Sequence, residues 1–148
     1  MDLDLNEEQR SLQALCREFA RREILPHRDE WNTSGRFPLE VFRKMADLGL
    51  MGLLVPEAYG GAGVGAVAYV AAMEEMAKAD QSVAATWNAH LTIGSLPLLY
   101  FGTEEQKRRW LGPLARGERL GAFGLTEPEA GSDARAIRTA ARREGNAW

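Results

Sequence analysis

Cysteine is almost missing from this chain. Cys16 stands alone among 148 residues, so no disulfide can close within it. Histidine is nearly as scarce: His27 and His90 are the only two, too far apart in sequence to make a metal-ligand pattern with Cys16. No run of about 20 apolar residues occurs, which excludes a membrane-spanning helix. The opening residues Met1-Asp2-Leu3-Asp4 are acidic and carry no signal or transit pattern, so the expected location is the cytoplasm. An excess of either charge is also missing. The net charge is −3 with acids and bases interleaved, leaving neither a basic groove for nucleic acid nor a polybasic patch for a membrane surface. The short basic pair Arg142-Arg143 reads as a solvated strand edge. Internal repeats and low-complexity segments are absent.

Hydrophobic residues make up 45% of the chain, enough for one domain with a sizeable core. Residues 1–119 read as an array of helices. Asn6 followed by Gln9 forms a capping-box pattern. Leu12, Leu15, Cys16 and Phe19 then share one face at helical spacing. Pro26 ends or kinks that helix, and residues 31–35 form its exit. Pro38 marks the start of a second helix and Gly49 its end, with Val41, Phe42, Met45 and Leu48 as its buried stripe. Residues 50–64 read as a glycine-rich loop. Residues 66–78 form a small-residue helix suited to close packing. Asp80 or Ser82 caps the next helix, which runs through His90 to about Gly94. A further apolar stretch at 96–101 stops at Gly102, and Thr103 with Gln106 repeats the capping box.

Strand character starts only near Leu120. Residues 121–125 alternate small and apolar groups. Pro128 then removes a backbone donor, and Gly131 permits a sharp bend. Ser132 and Asp133 favour turns because their oxygens bond nearby N–H groups. The expected product is a strand opening into a loop with unpaired N–H donors beside hydroxyls. Such a loop suits a ring carbonyl or a phosphate oxygen. A plain strand-to-loop corner without a ligand fits the same residues. A second short strand is expected at 139–143. Gly145-Asn146 reads as a hairpin turn whose return strand begins at Ala147-Trp148. A hairpin with one arm implies a chain cut from a longer one. The run Gly60-Gly61-Ala62-Gly63-Val64-Gly65 invites a nucleotide-binding reading, but no strand–turn–helix context surrounds it.

The segment Gly124-Leu125-Thr126-Glu127-Pro128, with Gly131-Ser132-Asp133, resembles the signature of the acyl-CoA dehydrogenase family. Val55-Pro56-Glu57, Tyr59-Gly60-Gly61 and Gly63 resemble that family's early glycine-rich loop. Met73-Glu74-Glu75-Met76-Ala77 resembles its following helix. Phe101-Gly102-Thr103-Glu104-Glu105-Gln106-Lys107, then Leu114-Ala115 and Gly117-Glu118, resemble the run into the signature. These blocks stand in family order over nearly the whole chain.

The resemblance implies a mainly α fold: the N-terminal helical bundle of the acyl-CoA dehydrogenase fold over 1–119, with the first strands of the middle β domain over 120–148. It implies FAD as cofactor and oxidation of an acyl-CoA thioester at Cα–Cβ, in fatty-acid or branched-chain amino-acid catabolism, with a short- or branched-chain flavour. Phe123, Leu125, Thr126 and Ser132 would hold the flavin. Ser132 would also meet the pantetheine of the substrate. Thr86, Ala89, His90 and Ile93 fall at i, i+3, i+4 and i+7 and would border the acyl chain; an ordinary core stripe fits the same spacing. Glu127 and Asp133 are expected to cap turns or pair with Arg rather than act as a base. Phe123 stands where many relatives carry tyrosine, which removes a hydroxyl contact. The family's catalytic glutamate and its flavin N5 contact belong to later segments, so no catalytic residue is expected here and this chain alone should not turn over substrate. The implied partners are an electron-transfer flavoprotein and further copies of the chain. Two alternatives stay open: a non-catalytic helical binding or assembly module, and a flavin oxidase or monooxygenase of the same fold.

Overall fold

Asn6 opens the first helix, α1 (Glu7–Phe19), by accepting from the Gln9 N–H at 2.8 Å while the Gln9 side chain accepts from its own N–H at 2.9 Å. In this computed structural model, which describes residues 4–145, α1 does not stop at Phe19. It widens into a π-helical turn, Ala20–Ile24, in which Leu25 N donates to Ala20 O at 2.9 Å. The rise to Pro26 then breaks, because Pro26 has no N–H to continue the ladder. Cys16 and Phe19 of α1 are buried and Leu12 is half-buried, but Leu15 is 40% exposed, outside the expected face.

Where the sequence indicated only an exit, residues Arg28–Ser34 form a short helix, α2, which buries Trp31 and ends at Gly35. Helix α3 (Leu39–Asp47) follows Pro38 and buries Val41, Phe42 and Met45; Leu48 lies past its end and is exposed. The segment after Gly49 is not plain loop. It winds into 3₁₀ turns at Leu50–Gly52 and Glu57–Tyr59. Helix α4 (Ala66–Ala79) lays Ala68, Ala71 and Ala72 into the core and packs most extensively on α1. Asp80 caps α5 (Gln81–Ala89), its carboxylate accepting from Val83 N at 2.8 Å, and α5 continues into a second π turn, His90–Gly94. After α6 (Leu96–Phe101), Thr103 and Gln106 form the second capping box, opening α7 (Glu104–Gln106). A third π turn (Lys107–Leu111) and α8 (Gly112–Ala115) complete the helical part. Among the described residues no helix is long and apolar enough to cross a membrane.

The main core joins α1, α3, α4 and α5 through Cys16, Phe42, Met45, Met76, Trp87 and Leu91. One charge is sunk beside it. Glu75 of α4 is 5% exposed, and Arg17 of α1 grips it with two hydrogen bonds of 3.0 and 3.1 Å while Lys78 adds a third at 2.9 Å. A buried carboxylate survives only when donors answer it. Here Arg17, then Lys78, holds the Glu75 carboxyl down at about 2, against the penalty of burial. Cys16 is pushed the other way, up to about 12, by burial first and by Glu75 second.

The glycine-rich loop spends its donors on its own chain. Gly61 N, Ala62 N, Gly63 N and Val64 N reach Pro56 O, Gly52 O, Val55 O and Leu53 O at 3.2, 3.0, 2.9 and 2.8 Å. Those groups therefore cradle no phosphate. Gly61 is obligatory in this turn, since a Cβ there would lie 2.0 Å from Val55 O.

Beyond α8 the structure departs from expectation. No strand forms among the described residues. Residues 120–126 carry no ladder, and the sole isolated bridge links Glu127 and Ala130. The same holds for 139–143. A strand is a pairing, and neither segment meets a second strand within 4–145. The hairpin return at Ala147-Trp148, with Asn146 of its turn, lies outside the described residues.

Two outcomes follow for the core. Glu75→Gln removes the charge that Arg17 and Lys78 answer, and should lower unfolding free energy by about 1–3 kcal/mol in urea denaturation. The wild-type contribution should be full above pH 4.5 and fade as pH falls toward about 2, because the folded carboxyl titrates below the unfolded one. Cys16 should resist a thiol-labelling disulfide reagent in the native chain and react once denatured.

Candidate functional site

The signature residues fold into an exposed shelf held by two carboxylates. Residues 120–126 run extended from the end of the helical part, with the Phe123 and Leu125 side chains 53% and 42% exposed. Among the described residues the N–H groups of Phe123, Gly124, Leu125 and Thr126 meet no protein acceptor. The chain then reverses tightly: Glu127 N donates to Ala130 O at 2.8 Å and Ala130 N to Glu127 O at 3.2 Å, with Pro128 and Glu129 at the tip. Ala130 is buried under this turn. A Cβ added at Gly131 would touch Thr126 Cγ2 at 4.0 Å, so Thr126 and the Gly131-Ser132 step share one side of the shelf. Ser132 is exposed, and its N–H also meets no acceptor among the described residues.

The acids of the motif are structural. The Glu127 carboxylate accepts from Arg138 N and Thr139 N at 2.9 Å each and from the Thr139 hydroxyl, which closes the loop 127–139. Those donors, the Arg138 N–H foremost, keep it below the ordinary carboxylate range. Asp133 accepts from Arg135 N at 3.1 Å and starts the 3₁₀ turn Ala134–Ala136. A carboxylate whose lone pairs are engaged this way, and whose proton affinity is lowered, is a poor general base. The capping role read from the sequence is what the hydrogen bonds show.

The four residues assigned to an acyl wall do not stay together. Thr86 is half-buried and lines a cleft of about 260 Å³ with Trp31, Phe37, Phe42 and Val83. Ala89 is half-buried, and Ile93 is 48% exposed. His90 leaves the set. Its ring is wholly buried, Nε2 lies 3.0 Å from Met51 O, and Nδ1 accepts from Gly121 N at 2.9 Å. The cause is the π turn His90–Gly94, which breaks the 3.6-residue spacing that aligned the four on paper. Burial, the larger influence, lowers the His90 pKa and favours the neutral ring. His90 is thus an interior histidine rather than an acyl contact. Nothing in its sequence surroundings named Met51 or Gly121 as its partners.

Comparison with known proteins agrees with this arrangement. A family described as acyl-CoA dehydrogenase, N-terminal domain, matches residues 6–118. A probable acyl-CoA dehydrogenase of Bacillus subtilis is 45% identical over 148 residues, which is 100% of this chain and 39% of that protein. The chain therefore spans about two fifths of that relative's length. Among solved structures, butyryl-CoA dehydrogenase from Megasphaera elsdenii superposes with a TM-score of 0.87 at 38% identity, over 94% of this chain and 37% of the other. An acyl-CoA dehydrogenase from Bacillus anthracis, solved in complex with FAD, does so with a TM-score of 0.80 at 37% identity, over 90% of this chain and 23% of the other. The helical order from Asn6 to Glu118 and the sequence match over that same span make this chain a member of the acyl-CoA dehydrogenase family, carrying its N-terminal domain.

Proposed function

We propose that this chain supplies a flavin-binding shelf and part of the acyl wall for FAD-dependent oxidation of an acyl-CoA thioester at Cα–Cβ. The observation that carries the reading is the exposed row of unpaired N–H groups at 123–126, set beside the Thr126 and Ser132 hydroxyls. Donors in a row fit the carbonyl- and nitrogen-rich edge of a flavin ring, and an exposed Gly-Ser step fits a phosphate. When bound, FAD supplies the hydride acceptor for the acyl chain.

The chain's own residues then have separate tasks. The N–H groups of Phe123 and Leu125 fix the ring edge, and their apolar side chains cover its face. The Thr126 hydroxyl donates to the ring where negative charge gathers on reduction, which favours the reduced state. Ser132 answers the pyrophosphate and the pantetheine end of the thioester. Glu127 keeps Ser132 in place by closing loop 127–139. Thr86, Ala89 and Ile93 face the acyl chain. The proton leaving the α carbon goes to a carboxylate outside this chain. An electron-transfer flavoprotein takes the electrons, further copies of the chain complete the assembly, and a short or branched acyl group is the preferred class. The cytoplasm is the proposed location.

The purified chain should retain a shifted flavin band in visible absorption after FAD is added and the excess removed. Thr126→Val should weaken that binding about three- to tenfold, the worth of one lost hydrogen bond. A chain that keeps no flavin would overturn the claim that this shelf grips the ring by itself. Glu127→Gln should speed amide exchange at Arg138 and Thr139 and weaken FAD, with far-UV circular dichroism unchanged. In the wild-type chain the same exchange should accelerate as pH falls below 4.5, since the loop-closed carboxyl titrates below its free value.

A further inference from the structure

His90 stands where the helical part hands the chain to the shelf. Its Nδ1 faces the Gly121 N–H at 2.9 Å, and a backbone N–H can only donate. Nδ1 therefore carries no proton, and Nε2–H is the donor to Met51 O at 3.0 Å. The tautomer is set by its two partners, and Ser95 Oγ donates to the His90 carbonyl at 2.7 Å. Beside this ring two glycines meet backbone to backbone. A Cβ at Gly94 would lie 2.9 Å from Gly121 C and Cα, and one at Gly121 would lie 3.1 Å from Gly94 Cα. The contact leaves no room for a side chain on Gly94, so the π turn presses directly on Gly121.

We propose that the buried His90 ring, bonded to Met51 O and Gly121 N–H beside the Gly94–Gly121 contact, is a positioning latch that sets the register of residues 121–126. It touches neither the acyl chain nor the flavin. It fixes the residue two places before Phe123 and five before Thr126, and so decides where the unpaired donors point. This deepens the flavin reading and rests on it for its functional meaning, while the latch itself stands on geometry.

The test uses the ¹⁵N-labelled chain with two nearly isosteric variants. In His90→Asn, Oδ1 takes the place of Nδ1 and keeps an acceptor for Gly121. In His90→Leu no acceptor remains. Imidazole ¹⁵N shifts of the wild-type chain should show unprotonated Nδ1 and protonated Nε2; the opposite tautomer or an imidazolium at neutral pH overturns the latch, whatever the variants do. Gly121 amide exchange should be slow in wild type and His90→Asn and about tenfold faster in His90→Leu. Unchanged exchange in a folded His90→Leu overturns the proposal. A His90→Leu chain that fails to fold leaves the tautomer and the His90→Asn exchange to decide. The FAD dissociation constant should rise about tenfold in His90→Leu and stay near wild type in His90→Asn. Equal affinity in all three, with Gly121 exchange accelerated, overturns the positioning role. If the wild-type chain keeps no flavin, the flavin reading fails by itself, and the amide and tautomer data alone uphold or overturn the latch.

Discussion

Buried carbonyls must be answered by donors, and the turn Leu50–Gly52 puts two of them, Leu50 and Met51, inside the core. Trp87 Nε1 donates to Leu50 O and His90 Nε2 to Met51 O, both at 3.0 Å. The donors are three residues apart on one helix and its continuation, so they fall on one face. This paired bond stitches the α3 side of the bundle to α5 at a point with no water to substitute for a lost partner. The hydrophobic cluster around Trp87, Met45 and Leu91 could tolerate some sliding, since dispersion is not directional. The two ring N–H groups remove that freedom and fix α5 against the turn.

The second hard contact lies across the bundle, where Arg17 and Lys78 hold Glu75. Its surroundings explain why a charge can sit there. Ala68, Ala71, Ala72 and Ala79 keep α4 narrow, so α1 comes close enough for the Arg17 fork to reach a nearly covered carboxylate. The charge adds orientation more than strength. Small residues let the two helices approach at many rotations, and the fork selects one.

Much of this was legible from the chain alone, and the physical reason is locality. The boxes at Asn6–Gln9 and Thr103–Gln106, the Asp80 cap and the start after Pro38 all arise from side chains bonding backbone a few residues away. The turn-capping acids Glu127 and Asp133 were readable on similar grounds, although the reach of Glu127 to Thr139 was not. What escaped depends on distant partners. The π turns at Ala20–Ile24, His90–Gly94 and Lys107–Leu111 have no composition of their own, and each resets the face that periodicity had assigned. Hence Leu15 was placed inside and His90 on the wrong wall. Helix α2 was missed because Trp31, whose burial anchors it, reads as an exit residue in isolation. The shelf was readable as a loop with free donors, but its strands were not realised, since pairing is a property of two segments.

The backbone meeting of Gly94 and Gly121 has a consequence for how such a domain can diversify. Because the π turn abuts the start of the shelf without an intervening side chain, the two segments form one hinge-free joint. Residues along α5 before that joint, such as Thr86 and Ala89, can change size without moving it. A lineage could therefore remodel the wall facing its substrate step by step while inheriting the shelf unchanged, and the joint is where that inheritance is physically enforced.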